Sequence, residues 1–238
     1  MMNLGYGFKI IAEGDYACFT RPEQKIERVS YDVPTPGALE GMIKCIYWKP
    51  AVRYVIDRIV VFNPIEFENI RRNEVKEKIS FNKVKSAMNG GDSPEIYTKE
   101  NISQRAGMVL KNVRYGIEFH FELTGIKSDS EDEGEEKHYN ILLRRLRNGQ
   151  CFKQPVFGCR EFSVKSIRLT EEFPMDEISP LLAGDRDLGI MLYGMKFRDG
   201  GIPVNGRFSD EADAVYYHPH LIDGVIDVAR YRRDTLCL

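Results

Sequence analysis

The spacing of the histidines and cysteines in this 238-residue chain shows whether they could form a metal or redox site. The five cysteines are scattered and form no CxxC pair of the kind that a zinc or redox site needs, so we expect reduced thiols. Two of the four histidines form the close pair His218-Pro-His220, which offers two metal ligands without a third. We therefore predict no metal site and no cofactor. No partner can be named for His138.

Tyr47 is a further candidate, because a tyrosine hydroxyl can donate a proton or a hydrogen bond to a reacting group. It lies in the stretch IKCIYWKPAV, residues 43–52, and is followed by Trp48, the one tryptophan of the chain. An aromatic residue at the end of a helix usually packs on a sheet. The local sequence thus leaves two roles open for Tyr47, a core residue or a reactive hydroxyl. We assign Trp48 to packing.

The helix that leads to Tyr47 has recognisable start and stop signals. Thr35 is expected to cap it, and Pro36 is suited to its first position, where a missing N–H costs nothing. Pro50 is expected to end it, because a residue that precedes proline is disfavoured in the α conformation. An apolar stripe at helical spacing predicts the buried face, which consists of Leu39, Met42, Ile43 and Ile46.

His120 lies in the clearest strand of the chain, residues 108–123, where apolar and polar side chains alternate. It is predicted on the polar face with Arg114, Glu118 and Glu122. A histidine at such a position is usually solvated or hydrogen-bonded at the surface. The sequence alone does not separate this reading from a functional one.

The remaining elements complete an α+β plan. We predict strands at 7–19, with a break at Gly14-Asp15, and at 51–62, a helix over EKHYNILLRRLRNG that ends at Gly149, and a strand over VFGCREFSVKSIRL. The order β, α, β, insertion, β, α, β is the ferredoxin-like split βαβ plan of RNA-recognition (RRM-like) modules. We expect this domain at 1–170, with a basic insertion of short helices at 65–107, and a smaller β-rich region at 171–238.

Charge is unevenly distributed along the chain, although the net charge is only −2. The stretch SDSEDEGEE at 128–136 holds six acids and no base, so the rest of the chain is net positive. Bases dominate at 70–88 and at 144–168, which suits a phosphate backbone or the solvated faces of ordinary helices. No apolar run approaches the length of a membrane span, and the N-terminus lacks the features of a signal peptide, so we expect a cytoplasmic protein.

Several segments of the sequence resemble those of one family. They are GDYACFTRPEQK at 14–25, SYDVPTPGALEGMIKCIYWKP at 30–50, IRRNEVK at 70–76 and GCREF at 158–162. The chain resembles the CRISPR-associated Cas-five family in its type I-C (Dvulg) form, over essentially its whole length. The resemblance implies a ferredoxin-like N-terminal domain that binds the hairpin of the CRISPR repeat RNA. It also implies cleavage at the 3′ base of that hairpin, without metal, through attack by the adjacent 2′-OH.

The same resemblance implies an active group of a tyrosine, a lysine and a histidine. Tyr47 matches the tyrosine and His120 the histidine. The lysine is not matched, since no lysine occurs within eight residues before His120. Lys49 and Arg114 are the alternatives that the sequence offers. We expect RNA contacts from basic residues of the insertion and of neighbouring elements, namely Arg71, Arg72, Arg105, Arg114, Arg144 and Arg145.

Two functions therefore stay open at this stage. One is a metal-independent endoribonuclease that processes repeat RNA and remains as a subunit of the type I-C interference complex. The other is a non-cleaving subunit that caps the 5′ end of the guide RNA, which the missing lysine and the basic insertion favour. Both have RNA and the other subunits of that complex as partners, neither needs a membrane, and DNA binding is left open.

Overall fold

The computed structural model describes residues 7–24, 26–126, 134–198, 200, 209 and 211–237. In chain order, its strands are β1 (Gly7–Ala17), β2 (Val52–Val61), β3 (Phe67–Val75), β4 (Ile102–Leu123), β5 (Ser166–Leu169), β6 (Asp185–Asp187), β7 (Met191–Phe197), β8 (Ala212–Tyr217), β9 (His220–Ile222), β10 (Val225–Asp227) and β11 (Leu236–Cys237). The helices are α1 (Pro36–Ile46), α2 (Phe81–Met88), α3 (Glu135–Asn148) and α4 (Val228–Tyr231), with 3₁₀ turns at Met175–Glu177 and Pro180–Leu182.

One large antiparallel sheet dominates the described part of the chain. Its strands follow the order β5-β1-β4-β2-β10-β9-β6, and β3 pairs with the first half of β4. A second sheet of three strands has the order β11-β8-β7. Helices α1 and α3 pack against the large sheet, and their apolar residues form one core with those of β1, β2 and β4. The α+β class predicted from the sequence is confirmed.

Helix α1 forms as its start signal predicts. The Thr35 hydroxyl accepts a hydrogen bond from the Ala38 backbone N–H at 3.3 Å, and Pro36 occupies the first turn. The predicted stripe of Leu39, Met42, Ile43 and Ile46 is buried. The helix ends at Ile46, earlier than the stop at Pro50 requires, because Tyr47 already has extended backbone angles. This early end turns the Tyr47 side chain out of the helical register.

The predicted break in β1 at Gly14-Asp15 is wrong. Strand β1 runs without interruption to Ala17, and Gly14 stays paired with Val113 of β4. The glycine has a packing reason instead, since a Cβ at position 14 would lie 2.9 Å from ring carbons of Phe157. Gly14 therefore gives space to an aromatic ring and does not mark a turn.

The insertion at 65–107 is less helical than predicted. Residues 67–75, which were expected to be helical, form β3 and pair with residues 102–110 of β4. Helix α2 lies between the two strands in the chain and ends at Met88, just before Gly90-Gly91. The local sequence is therefore a poor guide here, because most of β3 is solvent-exposed and its conformation is fixed by pairing with β4.

Helix α3 matches its prediction closely. Glu135 and Glu136 lie in its first turn, Arg145 and Arg147 in its last, and Gly149 caps it with a φ of 63°. The strand predicted after it is shorter than expected, since only Ser166–Leu169 are regular and residues 156–163 form an irregular loop. Most of the acidic stretch at 128–136 lies outside the described residues.

Residues 171–238 contribute to both sheets. Strand β10 pairs with β2, and β9 and β6 extend the large sheet from there. Strands β7, β8 and β11 form the small sheet. Among the described residues, no helix combines the length and the apolar character needed to cross a bilayer. The five cysteine thiols are free.

Candidate active site

His120 sits on the sheet face that points away from the core helices. Its neighbours Phe119 and Phe121 are buried in the main core, and side chains alternate along a strand, so His120 projects to the other side. A β-bulge between Ile56 and Arg58 of β2 holds Asp57, two residues after Val55, which is the direct cross-strand partner of His120. Asp57 Oδ2 lies 2.7 Å from His120 Nδ1. The bulge thus directs a carboxylate at the histidine.

Asp57 is held as an ionised acceptor. Arg232 Nη2 donates to Asp57 Oδ1 at 2.8 Å and also to the Ile56 carbonyl at 3.1 Å. Burial acts to raise the pKa of the Asp57 carboxyl, but the hydrogen bonds from His120 and Arg232 outweigh it and hold that pKa below its usual value. A carboxylate at Nδ1 favours the tautomer that carries its proton there and leaves Nε2 as the acceptor nitrogen, which lies 3.9 Å from Glu122 Oε1.

A cleft of about 1010 Å³ opens beside His120. It lies where the first residues of β1 meet β4, between the 169–171 segment and helix α3. Lys9 reaches this cleft from β1, where it pairs with Glu118, two residues from His120 on the neighbouring strand. The charged groups that line the cleft are Lys9, His120, Arg147, Asp57, Glu118, Glu135 and Glu171.

The carboxylates of this cleft are partly compensated by bases. Arg58 Nε lies 3.6 Å from Glu118 Oε2 on the same face of the sheet. Asp57 is engaged by Arg232 and His120. A phosphate beside His120 would therefore meet Lys9 with less repulsion than the number of carboxylates alone suggests.

Tyr47 belongs to a second polar group on the helix side of the sheet. Its side chain is 3% exposed, and its hydroxyl lies 2.8 Å from Nδ1 of His138, which is 2% exposed. The guanidinium of Arg145 stacks over the Tyr47 ring at 5.2 Å and donates to the Ile46 carbonyl at 2.5 Å. The Tyr54 hydroxyl donates to the Tyr47 carbonyl at 2.7 Å. Tyr47 is thus both packed and hydrogen-bonded.

His138 was missed by the sequence reasoning, although the sequence holds a signal for it. It precedes Leu142 and Leu146 at spacings of four residues, so it continues their buried stripe on α3. A histidine in an apolar stripe needs a hydrogen-bond partner, and Tyr47 provides one from the residue that follows α1. The partner itself could not be named, because Tyr47 is 91 residues away in the chain.

The structure does not join Tyr47 to His120 directly. Tyr47 bonds to His138 on the helix side, whereas His120 bonds to Asp57 on the opposite side of the sheet. Lys49 is exposed, and its carbonyl accepts from the Val52 N–H at 3.0 Å. Trp48 is 43% exposed, which is more than a packing role predicts.

The arginines predicted to bind RNA fall into two groups. Arg71 and Arg144 are exposed and form no ion pair with the residues that the structure describes. The others are engaged by the protein itself. Arg72 pairs with Glu161, Arg105 with Glu74 at 2.9 Å, Arg114 with Glu13 at 3.2 Å and Glu177 at 2.5 Å, and Arg145 with the carbonyl and ring described above. Their role in RNA binding stays a prediction.

Comparison with known proteins decides the family. The model of a family described as CRISPR-associated protein (Cas_Cas5) matches residues 9–229. The chain belongs to this Cas5 family. Two relatives, from Mannheimia succiniciproducens and Thermus thermophilus, are named CRISPR pre-crRNA endoribonuclease Cas5d. The first is 43% identical over 219 residues, covering 90% of this chain and 91% of the relative, and the second is 32% identical over 228 residues, covering 92% and 90%.

Solved structures share the Cas5 fold seen here. A crystal structure of a CRISPR-associated protein superposes with a TM-score of 0.62 at 22% identity, covering 94% of this chain and 91% of the other. A functionally uncharacterised protein from Streptococcus mutans gives a TM-score of 0.61 at 24% identity, covering 93% and 91%. At this level of identity the likeness concerns the fold alone.

Three of the segments on which the family resemblance is based lie close together in this Cas5 structure. In GCREF, Glu161 pairs with Arg72 of IRRNEVK and with Arg28, which lies 3.1 Å away. The Cys18 N–H, in GDYACFTRPEQK, donates to the Phe157 carbonyl at 3.0 Å, just before GCREF. These three segments therefore support the fold around β1, β3 and β4 and do not line the cleft beside His120.

Proposed function

We propose that this chain is an endoribonuclease that cleaves the precursor transcript of CRISPR repeats and stays with the product as a subunit of an RNA-guided interference complex in the cytoplasm. The observation that carries the proposal is the His120 and Asp57 pair beside a cleft that also holds Lys9. The relatives named as pre-crRNA endoribonucleases, one of them 43% identical, support the choice of substrate.

Three groups at the cleft have a role in this reaction. His120 Nε2 takes the proton of the 2′-OH, and Asp57 holds the ring by accepting from Nδ1. The 2′ oxygen attacks the adjacent phosphorus while the bond from phosphorus to the 5′ oxygen breaks, and the leaving oxygen takes up a proton from water. The products are a 2′,3′-cyclic phosphate and a 5′-OH. Lys9 places positive charge near the phosphorane, where it lowers the barrier most.

Tyr47 has a separate part in the proposal. The family resemblance assigns a catalytic hydroxyl to this position, but Tyr47 does not belong to the described lining of the cleft beside His120. Its hydroxyl would have to act from the helix side through its pair with His138. Of the tyrosine, lysine and histidine that the resemblance implies, Tyr47 is therefore the one that the cleft supports least.

We also propose that residues 1–170 form a ferredoxin-like unit to which 171–238 are added. Two observations support this division. The order β5-β1-β4-β2, counted along the chain without β3, is the 4-1-3-2 order of a split βαβ unit. The helices α1 and α3 follow the first and third strands of that unit and share one core. The long hairpin of β3 with β4 and the helix α2 are then an insertion into it.

The test of the function is cleavage of a cognate repeat hairpin in the presence of EDTA. We expect one cut at the 3′ base of the hairpin at an unchanged rate, because proton transfer by His120 needs no metal. The upstream fragment should carry a 2′,3′-cyclic phosphate. A hairpin with a 2′-deoxy nucleotide before the cut should bind and stay intact, because the nucleophile is missing.

An uncut all-ribose hairpin would overturn the endoribonuclease and favour the non-cleaving subunit. The four carboxylates that line the cleft favour that second function, because carboxylates repel phosphate. In that case the hairpin should still bind, with an affinity that falls steeply as salt is added. Cleavage that stops in EDTA would remove the proposed mechanism but keep the nuclease.

The choice of cation can be tested with two lysines. Lys9→Ala should slow single-turnover cleavage by about 10- to 100-fold, since one charge at the phosphorane is lost. Lys49→Ala is the matched control, because Lys49 is exposed near Tyr47 and does not belong to the described lining of the cleft. It should change the rate by less than about threefold. A larger loss of cleavage rate in Lys49→Ala than in Lys9→Ala would mean that Lys49 supplies the positive charge at the phosphorane.

A further inference from the structure

The pair His218-Pro-His220 marks a junction between the two sheets. Strand β8 ends at Tyr217 in the small sheet, and β9 begins at His220 in the large one. The two imidazole rings project close together, with centroids 5.6 Å apart. The sequence offered these two ligands without a third, and the tertiary structure adds one.

The third group comes from the edge strand β6. Its register with β9 places Asp187 directly opposite His220. Asp187 Oδ1 also lies 2.6 Å from His218 Nε2. One donor atom from each of Asp187, His218 and His220 lies within 4.8 Å of the other two. The three donor atoms are therefore close enough together for one ion to lie among them.

We propose that Asp187, His218 and His220 bind a divalent transition-metal ion of the zinc class. Two imidazoles and one carboxylate suit Zn²⁺, Co²⁺ or Ni²⁺, whereas Mg²⁺ and Ca²⁺ prefer oxygen ligands alone. Three protein ligands leave the remaining coordination position to water. The ligands are on the surface, with side chains of Asp187 and His218 that are 57% and 53% exposed, so an ion has a path from solvent.

Asp185 gives this site a supporting group. Its Oδ1 lies 2.7 Å from His220 Nδ1, two residues before Asp187 on the same face of β6. Carboxylates beside metal-binding histidines orient the ring in this way, and they leave the other nitrogen for the ion.

The position of the site indicates a structural role. Strand β6 has only three residues and lies at the edge of the large sheet, and His218 lies in the crossover from the small sheet. An ion held by all three ligands would fasten this edge to the crossover, so binding should stabilise the fold. The strands β9 and β6 that carry His220 and Asp187 lie three and four strands from β4 in the sheet order, so the site takes no part in chemistry at His120.

The experiment uses the full chain without a histidine tag, stripped with a chelator and then titrated with Zn²⁺. We expect about one zinc ion per chain by elemental analysis. At a free zinc concentration of about 100 times Kd, Tm should rise by roughly 5–10 °C. Co²⁺ should give visible d–d absorption bands from the nitrogen ligands.

The variants are a His218→Ala and His220→Ala double substitution and, separately, Asp187→Asn. Both should lose zinc binding and the Tm rise, while their metal-free Tm stays close to that of the wild type, because exposed pairs contribute little. His120→Ala is the matched control, since His120 also pairs with an aspartate but lacks a second imidazole. It should keep the zinc. Wild-type protein that binds well below one zinc per chain, or variants that bind as the wild type does, would overturn the site.

Discussion

Replacing His120 with alanine should slow cleavage of repeat RNA by about 10²- to 10⁴-fold, the range for loss of a general base. The physical reason is that Nε2 is the nitrogen that Asp57 leaves available for the 2′-OH proton. RNA affinity should stay within about threefold of the wild-type value, because binding relies on phosphate contacts made elsewhere. Single-turnover rates with excess protein measure the first quantity, and binding to the 2′-deoxy hairpin measures the second.

His218→Ala is the matched control for this substitution. It removes an exposed imidazole that also contacts an aspartate, but at the far edge of the sheet. In EDTA it should cleave as the wild type does. A His120→Ala protein that still cut at the wild-type rate would remove His120 from the mechanism.

Tyr47→Phe, measured in the same assays, shows whether the helix side of the sheet takes part. A rate loss comparable to that of His120→Ala, with folding intact, would place both side chains in one reaction. A lower Tm with an unchanged rate would restrict the Tyr47 hydroxyl to its buried bond with His138.

Replacing Gly158 with alanine should lower the free energy of unfolding by about 2–5 kcal/mol, which corresponds to a fall in Tm of roughly 4–20 °C. Two costs add up at this position. Gly158 has a φ of 81°, where an alanine is strained, and a Cβ there would overlap the Cys18 carbonyl, with its carbon 2.7 Å away. The 156–163 loop would have to move away from β1. Urea and thermal unfolding measure the loss.

Gly149→Ala separates the two costs. Gly149 caps α3 with a φ of 63°, but a Cβ there would meet no described atom within 4 Å. This variant should lose only the strain, about 1–2 kcal/mol. Equal losses in the two variants would mean that the contact with Cys18 yields easily and that GCREF is not fixed by packing on β1.

Local sequence predicted several elements well because their causes lie within a few residues. The Thr35 cap, the α1 stripe, the alternation of β4 and the Gly149 cap each depend on neighbours in the chain. The segment that forms β3 was predicted to be helical. Its side chains are mostly exposed, so its sequence lacks the alternation of apolar and polar residues that a half-buried strand shows. Gly14 was read as a break because its reason, the Phe157 ring, is distant in sequence.

The candidate site shows the same division. The sequence supplied His120 on a polar strand face, and the family resemblance supplied its expected role. The sequence could not supply Asp57, since a β-bulge turns that carboxylate toward His120 across 63 residues of chain. It could not supply Lys9 either, because the register between β1 and β4 decides which residues share a face.

By itself, then, the sequence determined the α+β elements, their caps and the family to which the chain belongs. Only the tertiary structure decided which groups meet: Asp57 and Lys9 at His120, His138 at Tyr47, and Asp187 at the His218 and His220 pair. The physical reason is that helix caps and apolar periods depend on short-range geometry. Strand register and bulges are instead fixed by the packing of the whole sheet.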